Sequence, residues 1–193
     1  MEYKLYRILR PVIKFLMKFL FRIEIINQEN ILLDKPVILA GNHKCFLDCF
    51  MLISSTKKTI RFLAKKELID KAGWLFRPLG IIPVDRKKKN KEAVNIAEDV
   101  LKEKGIIGIF PEGTYNNTPY IVRPFKMGAV KMACDTDSYL IPFAIVNKYK
   151  FLRRSVKVIY GKPYKIKNKK DLKEENVILM NKVIDLLKEN KDA

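Results

Sequence analysis

Apolar and polar positions change their period several times along the chain, and each change marks an element. Residues 1–22 carry basic side chains at Lys4, Arg7, Arg10, Lys14, Lys18 and Arg22, in steps of three and four. On a helical wheel these fall within an arc of about 120°. Leu5, Tyr6, Ile8, Leu9, Val12, Ile13, Phe15, Leu16, Met17, Phe19, Leu20 and Phe21 fill the remainder. The pattern predicts an amphipathic helix, divided or kinked at Pro11, which has no N–H to donate. An apolar arc of this width suits a helix lying in the plane of an anionic membrane surface. The competing use is packing on the protein's own core with the lysines in water.

Beyond residue 22 the pattern becomes that of alternating strands and helices. Short apolar runs predict strands at 23–26, 37–40, 59–64, 80–86, 106–110, 139–146 and 155–160. Helical spacing covers 44–56, 65–77, 90–104 and 124–135, and a last helix opens at Asp171 with Glu174 three residues on, as in a capping box. In 90–104 the inward stripe is Ala93, Ile96, Ala97, Val100 and Leu101, with Gly105 as the natural C′ residue. The last helix is expected to bury Val177, Met180, Ile184 and Leu187. Such alternation indicates an α/β fold, with a largely parallel or mixed central sheet flanked by helices. No repeat or linker divides it. The expected organisation is a membrane-association segment, 1–22, followed by one catalytic domain, 23–193.

Charge narrows the partners. Lys and Arg total 39 against 21 Asp and Glu, a net charge of +18, which calls for an anionic partner. Sign alone leaves anionic lipid, nucleic acid, an acidic carrier protein and a phosphorylated substrate open. The sequence has no nucleic-acid motif, and its apolar amino terminus fits nucleic acid poorly. The cysteines, Cys45, Cys49 and Cys134, are odd in number, and two lie within one helical turn. That spacing suggests no disulfide framework and favours a reducing compartment. No metal-ligand spacing occurs, so neither a metal nor another cofactor is expected. No apolar run is long enough to span a bilayer and no signal peptide is evident. The expected location is peripheral, on the cytoplasmic face of the cell membrane.

The stretch VILAGNHKCFLDCFM, residues 37–51, holds the chain's one histidine, His43, with Asp48 five residues later. On a continuous helix residues five apart lie about 140° apart and do not face each other. The two can touch only if His43 occupies the turn before the helix and Asp48 its first turn. Asp48 then accepts from Nδ1–H and leaves Nε2 to take a proton from a hydroxyl. The alternative is a structural histidine beside an aspartate at a helix start. Asn42-His43, Asp85-Arg86 and Glu112-Gly113-Thr114 all fall where strands end, the edge on which open α/β sheets build their sites.

These residues also carry a family resemblance. NHKCFLD at 42–48 resembles the N-H-x-x-x-x-D motif of the glycerophospholipid acyltransferases. GIIPVDR at 80–86 resembles their second block, FPEGT at 110–114 their third, and LIPFAI at 140–145 their fourth, with PFKMGA at 124–129 following the third. The nearest family is that of the 1-acyl-sn-glycerol-3-phosphate acyltransferases. The resemblance implies transfer of a fatty acyl group from acyl-acyl carrier protein or acyl-coenzyme A to the sn-2 hydroxyl of the lysophospholipid. It implies His43 as general base and Asp48 as its orienting partner, with no covalent enzyme intermediate. It also implies Arg86 on the acceptor phosphate, with Asn42, Glu112, Gly113 and Thr114 around the acceptor. The family's third block often continues with serine or arginine, whereas Tyr115 stands here; Arg123 or Lys126 takes over that contact in this reading. The departure leaves another lysophospholipid or polar lipid open as acceptor. A non-catalytic lipid-binding relative is the further alternative.

Overall fold

The protein is described here by a computed structural model covering residues 4–67, 69, 70, 73, 79–85, 91–153 and 156–190. In chain order the elements are α1 (Lys4–Phe21), β1 (Glu24–Ile26), a single 3-10 turn (Gln28–Asn30), β2 (Val37–Gly41), α2 (Leu47–Ser55), β3 (Ile60–Lys65), β4 (Ile82–Val84), α3 (Lys91–Lys102), β5 (Ile106–Ile109), α4 (Gly128–Asp135), β6 (Tyr139–Val146), β7 (Lys157–Tyr160) and α5 (Leu172–Glu189). Much of the helix expected over 65–77 lies outside the described residues; 66, 67, 69, 70 and 73 are helical.

The seven strands form one sheet in the order β1-β7-β6-β2-β5-β3-β4. Neighbours are parallel except β6 and β7, which are antiparallel, so the sheet is mixed. Every residue of β2 is buried, as a strand covered on both faces requires. Ile38 and Ala40 face a core shared with Ala93, Ala97 and Leu101 of α3, Ala129 and Ala133 of α4, and Leu179 and Val183 of α5. Val37 and Leu39 face a second core with Tyr6 and Met17 of α1 and Met51 and Leu52 of α2. The result is a helix–sheet–helix sandwich. Strands β6, β2 and β5 run side by side in one direction, so their carboxyl ends open at one edge.

Several local expectations are corrected. Pro11 does not divide α1, which is one helix with the proline inside it. An interior proline costs about 3 kcal/mol, but Tyr6 and Leu9 before it and Ile13 and Met17 after it pack on the same core. Each well-buried side chain contributes about 1.5–3 kcal/mol, enough to hold the helix together across the proline. Of the other apolar positions, Leu5, Ile8, Val12, Phe15, Leu16 and Phe19 are exposed, while Leu20 and Phe21 are half-buried. The wide apolar arc is therefore two faces: one packed on the protein, one turned outward. Arg10, from the basic stripe, donates to the Thr56 carbonyl at the end of α2 (3.1 Å), where the helix dipole favours a cation.

The left-handed residue that ends α3 is Lys104 (φ 56°), not Gly105. Lys104 N–H donates to Leu101 O and Gly105 N–H to Val100 O (2.8 Å for the latter), a Schellman cap with the glycine one position later than expected. α4 begins at Gly128 rather than 124, because Lys126 N–H is taken by Pro111 O (2.9 Å). α5 buries Leu179, Val183 and Leu187, while Val177 is exposed. Polar contacts set its rotation: Glu175 Oε1 accepts from Lys167 and Asn168 N–H, and Asn176 donates to Phe125 O. Asp171 caps the Lys173 and Glu174 N–H groups, but the reciprocal half of a capping box is absent, since Glu174 Oε2 instead accepts from Asn168.

Gly108 lies in β5 between Leu39 and Phe62 of its neighbours. A Cβ there would sit 2.4 Å from the Phe62 ring, and Phe62 is itself stacked near Phe110 (centroids 6.2 Å). Gly108→Ala is expected to destabilise the protein by about 1–3 kcal/mol, read as a lower urea midpoint. An unchanged midpoint would mean that Phe62 has room to yield.

Candidate active site

The edge formed by β6, β2 and β5 gathers the polar residues. β2 ends at Gly41 and runs into Asn42 and His43, and α2 begins at Leu47. His43 thus occupies the turn and Asp48 the first turn of the helix. His43 Nδ1 lies 2.9 Å from Asp48 Oδ2. The same Oδ2 accepts the Lys44 and Cys45 N–H groups at 2.6 and 2.9 Å, and Oδ1 accepts the Tyr149 hydroxyl at 2.9 Å. A carboxylate surrounded by donors has no proton to offer the imidazole, so Nδ1 carries the hydrogen and Nε2 is left as the acceptor. Asp48 is fully buried, whereas the His43 side chain retains 15% exposure.

Aromatic rings fix the imidazole plane. Phe110 stacks on one face (centroids 3.8 Å, interplanar angle 14°), and Tyr115 meets the ring edge-to-face at 4.5 Å. Tyr115, the departure from the family pattern, is thus part of the wall around the imidazole. Asn116 N–H donates to His43 O (2.9 Å), which fastens that wall to the turn.

The buried Glu112 joins the two loops from inside. Its Oε1 accepts from His43 N–H (2.8 Å) and its Oε2 from Arg123 N–H (2.7 Å). Burial pushes its carboxyl above the ordinary value, while the two backbone donors pull it down. Asn42 makes a two-bond tie to Ile145 of β6, donating to O (3.0 Å) and accepting from N (2.7 Å). Gly113 adopts a left-handed conformation (φ 72°), and a Cβ there would meet the Lys126 side chain at 2.9 Å. Thr114 and Lys126 are exposed and Arg123 is half-buried along the same rim. Arg86 lies outside the described residues. The structure thus gathers Asn42 and His43 in the turn after β2, Asp48 in the first turn of α2, and Glu112, Gly113, Thr114, Arg123 and Lys126 on the adjacent segment between β5 and α4.

Tyr149, Phe110 and Lys44 are the contacts that sequence reasoning did not single out. Tyr149 follows β6 as His43 follows β2, so the strand-end rule pointed to it. Lys44 Nζ donates to Asn147 O (2.9 Å), and burial lowers its ammonium pKa, opposed by the charge of Asp48. Burial, then the Asp48 charge, pushes the Cys49 thiol up to about 12 and raises that of Cys45, so neither is an activated nucleophile. Among the described residues no cluster of three potential metal ligands occurs.

Glu112→Gln tests the brace. An amide offers one oxygen to two N–H donors and turns its own NH₂ toward the other. The expected loss is about 1–3 kcal/mol of stability, measured by urea unfolding. A variant as stable as the parent would show that the two N–H groups find other acceptors.

The profile of the Acyltransferase family matches residues 22–146. The 1-acyl-sn-glycerol-3-phosphate acyltransferase of Bacillus subtilis is 28% identical over 166 residues, covering 82% of each chain. The probable 1-acyl-sn-glycerol-3-phosphate acyltransferase of Mycoplasma pneumoniae is 32% identical over 136 residues, covering 65% of this chain and 50% of that one. The crystal structure of the 1-acyl-sn-glycerophosphate acyltransferase PlsC from Thermotoga maritima superposes with a TM-score of 0.75 at 21% identity, over 99% of this chain and 81% of that one, a likeness of fold. With the profile spanning the sheet from before β1 to the end of β6, and with it the histidine turn, this chain belongs to the acyltransferase family.

Proposed function

We propose that this protein transfers a fatty acyl group from an acyl thioester to the sn-2 hydroxyl of 1-acyl-sn-glycerol-3-phosphate, giving phosphatidate. The observation that carries the reading is the His43–Asp48 contact at 2.9 Å, with Nε2 left as acceptor on a partly exposed ring. Relatives named for this activity support the choice of substrate. The acceptor hydroxyl gives its proton to Nε2 as its oxygen attacks the thioester carbonyl. Asp48 stabilises the imidazolium that forms. The tetrahedral oxyanion collapses, the C–S bond breaks, and the departing thiolate takes the proton back from His43. The thiolate is a good leaving group, so no acyl-enzyme is needed. Arg86 is the proposed ligand of the acceptor phosphate, a task suited to a guanidinium fork. Acyl carrier protein and coenzyme A donors are both anionic and both suit the basic surface.

His43→Ala should lower the rate by about 10²–10⁴-fold while leaving the fold intact, with phosphatidate followed by mass spectrometry for each thioester donor. Full turnover by a folded His43→Ala protein would reject the general-base role. Conversion of a different lysophospholipid at a higher kcat/KM would keep the chemistry and replace the acceptor.

The same reading seats the protein peripherally on the cytoplasmic face of the membrane, where its acceptor resides. No helix among the described residues is long and apolar enough to cross a bilayer. The outward stripe of α1, with Ile8, Val12 and the stacked pair Phe15–Phe19 beside basic side chains, is the proposed contact. Removing 1–22 would also strip Tyr6 and Met17 from the core, so the test uses exposed positions alone. Phe15→Ser with Phe19→Ser should weaken binding to phosphatidylglycerol vesicles by roughly tenfold or more at an unchanged melting temperature. Undiminished binding would remove this face from the membrane contact.

A further inference from the structure

Asp48 is held by more than the turn it stands in. Its Oδ2 is occupied by His43 and by the Lys44 and Cys45 N–H groups, all within six residues of chain. Its Oδ1 receives one strong donor, the Tyr149 hydroxyl at 2.9 Å, from 101 residues away; the Cys45 thiol lies at 3.9 Å. Tyr149 sits on the loop that follows β6, the strand beside β2. Burial, then the Asp48 charge, holds its phenol well above its ordinary pKa, so it remains a donor across the working pH range.

The loop that carries Tyr149 is fastened on both sides. Asn147 turns the chain in a left-handed conformation (φ 61°), and its carbonyl accepts from Lys44 Nζ (2.9 Å). Beyond Tyr149, Leu152 N–H donates to Leu20 O at the end of α1 (2.6 Å). The Tyr149 ring meets Phe21 edge-on (centroids 5.6 Å, interplanar angle 83°). One continuous set of contacts therefore runs from α1 through Phe21 and Tyr149 to Asp48 and the imidazole.

We infer that Tyr149 is a positioning residue for acyl transfer, setting the orientation of the Asp48 carboxylate toward His43 from the far oxygen and tying that orientation to the docked end of α1. The inference rests on His43 acting as the base. Rotation about the Cβ–Cγ bond moves both oxygens, so the Tyr149 donor on Oδ1 resists, from the opposite edge of the carboxylate, the same motion that the three donors on Oδ2 resist. The imidazole ring, which takes its direction from Oδ2, is then held for proton transfer before substrate arrives.

Tyr149→Phe keeps the ring, and with it the edge contact to Phe21, and removes only the hydroxyl. The expected result is a kcat lower by roughly tenfold, the worth of one hydrogen bond to a charged group, with KM for acceptor and donor unchanged. In an Asp48→Asn background, measured at its residual rate, adding Tyr149→Phe should change little, because the group it orients is gone. A second readout needs no turnover. The chain has one histidine, so its imidazole proton and nitrogen NMR signals are assigned without ambiguity. The Nδ1–H signal should shift or broaden in Tyr149→Phe. Unchanged kcat with an unmoved Nδ1–H signal would overturn the inference, as would an equal loss with and without Asp48. If His43→Ala itself retained full activity, the base assignment would fall instead. The NMR comparison would still report whether Tyr149 governs the pair.

Discussion

Asp48 is the residue on which the site is built. It is fully buried and takes donors on both oxygens. Burying a carboxylate without such donors carries a penalty of several kcal/mol, so the turn from His43 to Cys45 must fold to supply them. The turn then has little freedom left: two backbone N–H groups point inward at Oδ2 and the imidazole follows them. A five-residue spacing that cannot pair on a helix pairs here because the first member lies in the turn and the second in the helix.

The sheet supplies the rest. β6, β2 and β5 are parallel neighbours, and their ends deliver Tyr149, His43 and Glu112 to one edge. Glu112 serves the chain itself: both its oxygens hold backbone N–H groups, one of them that of His43. Asn42 joins β2 to β6 in the same manner. The His43 turn is thus positioned by polar groups spent on the chain, while Thr114 and Lys126 on the rim are exposed.

α1 divides its circumference three ways. One face packs on the core through Tyr6, Ile13 and Met17, a second presents Ile8, Val12, Phe15 and Phe19 outward, and a third carries the cations. Core packing and an outward apolar surface are therefore compatible on one helix. Its carboxyl end touches the Tyr149 loop through Leu20 and Phe21, so the helix that bears the outward surface also bears on the site.

The order of strands and helices, the place of His43 between strand and helix, and the family itself were all legible in the chain. They depend on local periodicity and on residues close in sequence. The sheet order, the antiparallel β7, the rotation of α5 and the unbroken α1 were not, because each is settled by burial against elements far along the chain. The same division runs through the site. NHKCFLD by itself determined that a histidine and an aspartate could meet across a turn. Only the tertiary structure decided that Phe110 and Tyr115 would fix the ring, that Glu112 would brace the backbone, and that Tyr149 would hold the second oxygen of Asp48. Those contacts span from 11 to 101 residues, and no spacing rule reaches across them; they exist because parallel strands end side by side.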